Sequence, residues 1–130
     1  MMSRVYINFN VLFLNEVLKD KKWLMMNLWR RVRALLKDKP GFNEKKMFGG
    51  ICYLLSGNMA CGILNDSLIV RVGTDNYTKS LSLPYCRVFD FTGRPMKGWV
   101  TVPIKGLESE TALKDWVEKG VDYARSLPPK

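Results

Sequence analysis

The stretch KKMFGGICYLLSGNMACGILNDSLIVRV, residues 45–72, decides the fold. Apolar runs in it are separated by the short turn signals at 56–58 and Asn65-Asp66, and turns this short join antiparallel neighbours. The runs predict three strands, at about residues 45–55, 59–64 and 67–72. We expect the paired Gly49-Gly50 to mark a bulge or a close approach within the first of them.

Helical patterns lie on both sides of this meander. Before it, residues 24–39 repeat apolar side chains at the spacing of one buried helical stripe, and Pro40-Gly41 ends the helix. After the meander, Thr74 is predicted to cap a short helix that Pro84 ends. These signals predict a helix, three strands and a second helix, in that order.

The last third of the chain completes the element order. Two strands are predicted at about residues 86–91 and 98–102, joined by the turn-forming residues 92–95. Ser109 begins an incomplete capping box, and an apolar stripe then predicts a helix that ends near Pro128.

The order α-β-β-β-α-β-β-α predicts a two-layer α+β domain over residues 24–130. Because tight turns join its strands, the five-stranded sheet is expected to be mainly antiparallel, with the helices packed on it. Residues 1–23 form an N-terminal extension of unclear status. They are either an extra helix or strand, or translated leader upstream of Met25.

Composition limits the classes of protein that fit. The 130 residues are 47% apolar and carry a net charge of +9, which favours contact with nucleic acid or acidic partners but also serves solubility. An odd number of cysteines, three, argues against a secreted disulfide scaffold, and no apolar run is long enough to span a membrane. We expect a cytoplasmic protein with no membrane role.

The chain contains no histidine. It therefore lacks the usual general base near neutral pH and the commonest transition-metal ligand. Its cysteines do not have zinc-knuckle spacing, and neither Gly49-Gly50 nor any other glycine pair begins a phosphate-binding loop. We expect no enzyme activity, no catalytic residue, no metal and no cofactor.

Basic residues are the candidate site. Arg30, Arg33 and Lys37 lie three and four residues apart, which predicts a shared solvated helix face. The full candidate surface for an anion or a partner is Arg30, Arg33, Lys37, Lys45, Lys46, Arg71, Arg94 and Lys97. The alternative is that these are ordinary solvated strand edges and helix faces.

Several strings resemble the N-terminal domain of TfoX (Sxy) proteins. Residues 44–50, 57–62 and 70–73 are similar to its first strands, and residues 90–100, DFTGRPMKGWV, are the most specific block. The tail 116–130 resembles the last helix of the family. The resemblance implies a secretion-chaperone-like α+β fold with a five-stranded antiparallel sheet. It also implies a short form, since longer members carry a second, C-terminal domain.

The resemblance further implies a role like that of TfoX competence regulators, which act on transcription. We therefore expect a non-enzymatic regulatory module that binds a protein partner, with homodimerisation open. The alternatives are a direct nucleic-acid binder that uses the basic surface, and a small-molecule-binding or enzymatic domain with a pocket between sheet and helices.

Overall fold

A computed structural model describes residues 21–47, 49–90 and 92–130 of the chain. The helices are α1 (Lys21–Leu36), α2 (Tyr77–Leu81) and α3 (Glu110–Ser126), with a 3₁₀ turn at Ile104–Leu107 before α3. The strands are β1 (Phe42–Met47), β2 (Gly50–Leu55), β3 (Asn58–Leu64), β4 (Ser67–Arg71), β5 (Arg87–Val88) and β6 (Trp99–Pro103).

The strands form one antiparallel sheet in the order β1-β2-β3-β4-β6-β5. The first four strands follow the chain because tight turns join them, and Asn65 adopts the positive φ of 56° that such turns require. β6 then pairs with β4, which leaves the two-residue β5 at the far edge. The predicted α+β class and antiparallel sheet are confirmed.

The predicted single strand at 45–55 is wrong, since residues 42–55 form two strands of a hairpin. Gly49 has a φ of 77°, a conformation in which the chain can reverse, and Met47 pairs with Gly50 across the turn. Gly50 also lies against the carbonyl oxygen of Ile63, so a Cβ would collide there. The described part of the sheet therefore has six strands rather than five.

Two smaller expectations also change, and a third is not tested. The strand predicted at 86–91 forms ladder bonds only at Arg87–Val88. α1 begins at Lys21 and ends at Leu36, so it starts inside the extension predicted at 1–23. Residues 1–20, for which a leader or an added element was predicted, lie outside the described residues.

The predicted N-cap is wrong for α2 and correct for α3. The N-cap of α2 is Asn76 and not Thr74, whose backbone carbonyl accepts a bond from the N–H of Tyr77. In α3, by contrast, the Ser109 hydroxyl accepts a hydrogen bond of 3.0 Å from the N–H of Ala112. This is the cap predicted from the sequence.

One face of the sheet carries the core. α3 packs across β3 and β4, and α1 lies beside α3 on the same side. Alternate strand residues such as Tyr53, Cys61, Leu68 and Val70 are almost completely buried beneath these helices. The Tyr53 hydroxyl donates a 3.0 Å hydrogen bond to the carbonyl of Trp29, which ties β2 to α1. Among the described residues, no helix is both long and apolar enough to cross a membrane.

Candidate interaction surfaces

The first candidate surface is on α1. Arg30, Arg33 and Lys37 line one shallow depression together with Trp29 and Phe42, as their helical spacing predicts. The Arg30 guanidinium lies 5.4 Å from the centre of the Trp29 ring. We call these five residues the basic face.

The basic face is partly neutralised. The Arg33 Nε atom lies 3.4 Å from a carboxylate oxygen of Glu44 on β1. Arg31, which widens the basic surface in sequence, instead turns toward the core side and binds the carbonyl of Leu107 at 2.7 Å. Two of the four cations at positions 30–37 therefore already have protein partners.

The other predicted site residues do not join the basic face. Lys46 pairs with Ile51, which places it on the helix-covered side of the sheet, whereas Lys45 pairs with Cys52 on the opposite side. Arg94 and Lys97 are exposed in the segment that precedes β6. The eight predicted residues thus lie on α1, on two strands and in the segment before β6, rather than in one patch.

Arg71, the remaining predicted residue, lies between two aromatic rings. Its guanidinium carbon is 5.2 Å from the ring centre of Trp99 and 5.1 Å from that of Tyr123. Such cation–π contacts fix the position of the charge. Arg71 is part of none of the ion pairs formed by the described residues.

The second candidate surface is an open groove of about 370 Å³ on the sheet face that the helices leave uncovered. Strands β2, β3 and β4 form its floor through the in-register row Cys52, Gly62 and Ile69. The segment before β6 forms one wall, where the rings of Phe89 and Trp99 pack 6.5 Å apart. The lining residues are Met47, Ile51, Cys52, Met59, Gly62, Ile63, Leu64, Ile69, Phe89, Thr92, Met96 and Trp99.

This apolar groove is a feature of the structure that the predicted site residues do not include. Its signal is present in β2, β3 and β4, whose apolar runs are nearly continuous rather than alternating. Continuous runs are typical of strands with apolar contacts on both faces. The described helices cover one face. On the other face the floor residues Cys52 and Ile69 are only 8% and 4% exposed, and the exposed large apolar side chains of the groove are Met47 and Met96.

Comparison with known proteins was made against family models, curated proteins and solved structures. The model of the TfoX N-terminal domain matches residues 34–124, which is more than half of the chain. The chain belongs to the TfoX N-terminal domain family. Comparison with curated proteins and with solved structures gave no match.

The matched region of this TfoX N-terminal domain contains the whole groove but only Lys37 and Phe42 of the basic face. The groove lies within residues 47–99, well inside the match, whereas the basic face begins at Trp29, before it. Family membership agrees with the resemblance carried by residues 44–50 and 90–100. Both of these strings contribute side chains to the walls of the groove.

Burial favours the protonated form of all three cysteines of this TfoX N-terminal domain. Burial raises the pKa of Cys61 to about 12, and it raises the pKa of Cys52 as well. Burial also raises the pKa of Cys86 to about 11, although the Lys119 ammonium opposes that rise. Because the thiolate is the reactive form, these pKa values leave little of it near neutral pH.

A second, polar cleft of about 580 Å³ lies between α2 and the last turns of α3. Lys79 and Lys119 line it opposite Asp75 and Asp122, so its charges are mixed. Within the part of the chain that the structure describes, no cluster of acidic or cysteine side chains has the geometry of a metal site.

Proposed function

We propose that this TfoX N-terminal domain is a non-enzymatic binding module that acts in transcription control by docking a protein partner in its apolar groove. The observation that carries the proposal is the groove itself. The groove is open, its floor is apolar, and Met47 and Met96 in its walls are exposed, so apolar side chains of a partner can reach it and leave water there.

The lining favours a protein partner over a small substrate. A small-molecule site usually combines an apolar wall with a few convergent polar groups that fix the ligand. In the groove, Thr92 is the one lining residue with a polar side chain other than a thiol or an indole. The groove is also open along one side of the sheet rather than enclosed.

Methionine gives the groove an adaptable wall. Met47, Met59 and Met96 line it, and Met47 and Met96 are 42% and 36% exposed. Unbranched, polarisable thioethers repack easily around different side chains, as at other protein-binding surfaces. This favours apolar anchors of a partner protein as the ligand.

Site-specific photo-cross-linking in cells tests the proposal. A photoreactive amino acid replaces Thr92, an exposed lining residue, and the matched control places it at Lys114 on the exposed side of α3. We expect one protein to be cross-linked from position 92 and not from 114, and we expect it to belong to the transcription machinery. Equal capture from both positions would contradict the proposal.

A second candidate function, direct nucleic-acid binding, is favoured by the basic face. Trp29 and Phe42 lie beside Arg30, Arg33 and Lys37, and aromatic rings flanked by cations suit stacked bases and phosphates. Anisotropy titrations with labelled duplex DNA and single-stranded RNA at two salt concentrations test it. Submicromolar affinity that falls steeply with salt would support this function, whereas no binding at low salt would exclude it.

A further inference from the structure

We infer that the partner segment that docks in the groove is amphipathic and acidic, with carboxylates beside its apolar anchors. This inference rests on the proposed docking function and adds the chemistry of the partner. It is carried by the distribution of charge around the groove.

Every charged residue at a strand position on the groove side of the sheet is basic. Lys45 is on this side because it pairs with Cys52. Arg71 pairs with Trp99 on this side too, while its guanidinium also contacts the ring of Tyr123 on α3. Arg87 on β5 pairs with Thr101, the neighbour of Ile69, and joins the same side. The acidic residue of β1, Glu44, pairs with the core residue Tyr53 and is therefore on the other side.

Residues 89–99, which form one wall of the groove, add further positive charge. Between Phe89 and Trp99 this wall carries Arg94 and Lys97, both exposed, against the single carboxylate of Asp90. None of these cations lines the groove itself, but their positive charge on this side lowers the free energy of an incoming segment that carries the opposite charge. Arg71 is held between two rings, so little side-chain entropy remains to be lost when it pairs with a carboxylate.

Charge also argues against a second copy of this chain as the occupant. Two groove faces brought together would oppose Lys45, Arg71 and Arg87 with the same cations, in a chain whose net charge is +9. Like charges placed opposite one another disfavour association.

Nucleic acid fits the groove less well than the basic face. The lining is mainly aliphatic or methionine, and these side chains do not stack on bases as aromatic rings do. The two aromatic residues of the wall, Phe89 and Trp99, pack on each other, and Trp99 also carries the Arg71 guanidinium.

The test uses the full chain and three labelled synthetic peptides of about 18 residues, long enough to form a helix on the surface. Each has leucine at the i, i+3, i+4 and i+7 positions of one face, with Glu, Gln or Lys on the other face. Anisotropy at low salt is expected to rank affinity as Glu above Gln above Lys, with about a tenfold advantage of Glu over Gln that shrinks at high salt.

Two variants connect binding to the groove. Met96→Asp introduces a charge into the apolar wall at a partly exposed position and is expected to weaken the Glu peptide by at least tenfold. The double variant Lys45→Glu, Arg87→Glu is expected to reverse the ranking of the Glu and Lys peptides. Its matched control is Lys105→Glu, Lys114→Glu, which changes net charge equally at exposed positions outside the groove and is expected to keep the ranking.

The outcomes separate the two proposals. If the three peptides bind equally and Met96→Asp weakens all of them, the acidic character is wrong but docking in the groove stands. If none binds up to about 1 mM, the range of the weakest specific contacts, both the inference and the docking function are overturned. A photoreactive residue at Thr92 that cross-links the purified chain to residues 1–20 or to a second copy, instead of to the Glu peptide, also overturns the inference.

Discussion

Gly120 on α3 lies directly against the backbone carbonyl of Ala60 on β3, with no room between them for a side chain. This contact sets how closely the longest described helix approaches the sheet. Val117 and Val121 on the same helix are completely buried as a result. The helix-covered face is thus sealed, and the groove lies on the opposite face, where Met47 and Met96 are its exposed large apolar side chains.

Gly120→Ala is expected to destabilise the domain by about 1–3 kcal/mol, because the new methyl group would collide with the Ala60 carbonyl. Helix propensity alone predicts the opposite sign, a gain of up to about 1 kcal/mol. Urea unfolding followed by circular dichroism measures the free energy of unfolding. Asp122→Ala, at an exposed position of the same helix, is the control and is expected to change stability little. A stabilised Gly120→Ala variant would mean that α3 and β3 are farther apart.

Arg31 is expected to stabilise the domain by linking α1 to the start of α3 through two hydrogen bonds. Its Nη2 atom donates to the Leu107 carbonyl at 2.7 Å, and its Nε atom donates to the Glu110 carboxylate at 2.9 Å. Lysine cannot make both bonds with this geometry, so Arg31→Lys is expected to cost about 1–2 kcal/mol of stability. In thermal unfolding, the exposed Arg30→Lys is expected to change stability by less than about 0.5 kcal/mol. Equal losses of stability in Arg31→Lys and Arg30→Lys would contradict this role of Arg31.

Alkaline pH is expected to destabilise the domain through Cys61. Burial raises the pKa of this thiol from 9.0 to about 12, and burial raises the pKa of the Tyr53 hydroxyl too. Between pH 9 and 12 the unfolded state therefore binds fewer protons than the folded state, so the free energy of unfolding falls as pH rises. Urea midpoints measured across this range are expected to fall less steeply with pH in Cys61→Ala.

Val70→Ala controls for the cavity that Cys61→Ala leaves, since Val70 is the buried cross-strand partner of Cys61 and does not titrate. The urea midpoints of Val70→Ala are expected to be lower than those of the unmodified chain and to fall with pH at the same slope. If the urea midpoints of Cys61→Ala fall with pH as steeply as those of the unmodified chain, the thiol does not contribute to the alkaline loss of stability.

The sequence predicted the elements whose signals are local. The turns at 56–58 and 65–66 and the cap at Ser109 depend on residues adjacent in the chain, and all three are confirmed. The hairpin at Gly49-Gly50 was missed because paired glycines permit both a bulge and a reversal. The choice between them depends on β1 pairing with β2, which composition does not reveal.

The placement of the candidate residues was predicted only in part. Helical spacing correctly placed Arg30, Arg33 and Lys37 together, because side chains three and four residues apart share a helix face. Lys45 and Lys46, although adjacent, lie on opposite sides of the sheet because strand side chains alternate. The apolar groove depends on which sheet face the helices leave open, and that is a property of the tertiary structure.

The most direct test of the central claim compares transcription in a strain that lacks this gene and is complemented with variants. The account predicts that the unmodified chain restores the transcript profile and that Met96→Asp, which alters the groove, does not. A basic-face variant, Arg30→Glu with Lys37→Glu, is predicted to restore it. Equal amounts of folded protein are verified by immunoblotting and circular dichroism. Restoration by Met96→Asp together with failure of the basic-face variant would contradict docking in the groove and favour direct binding of nucleic acid.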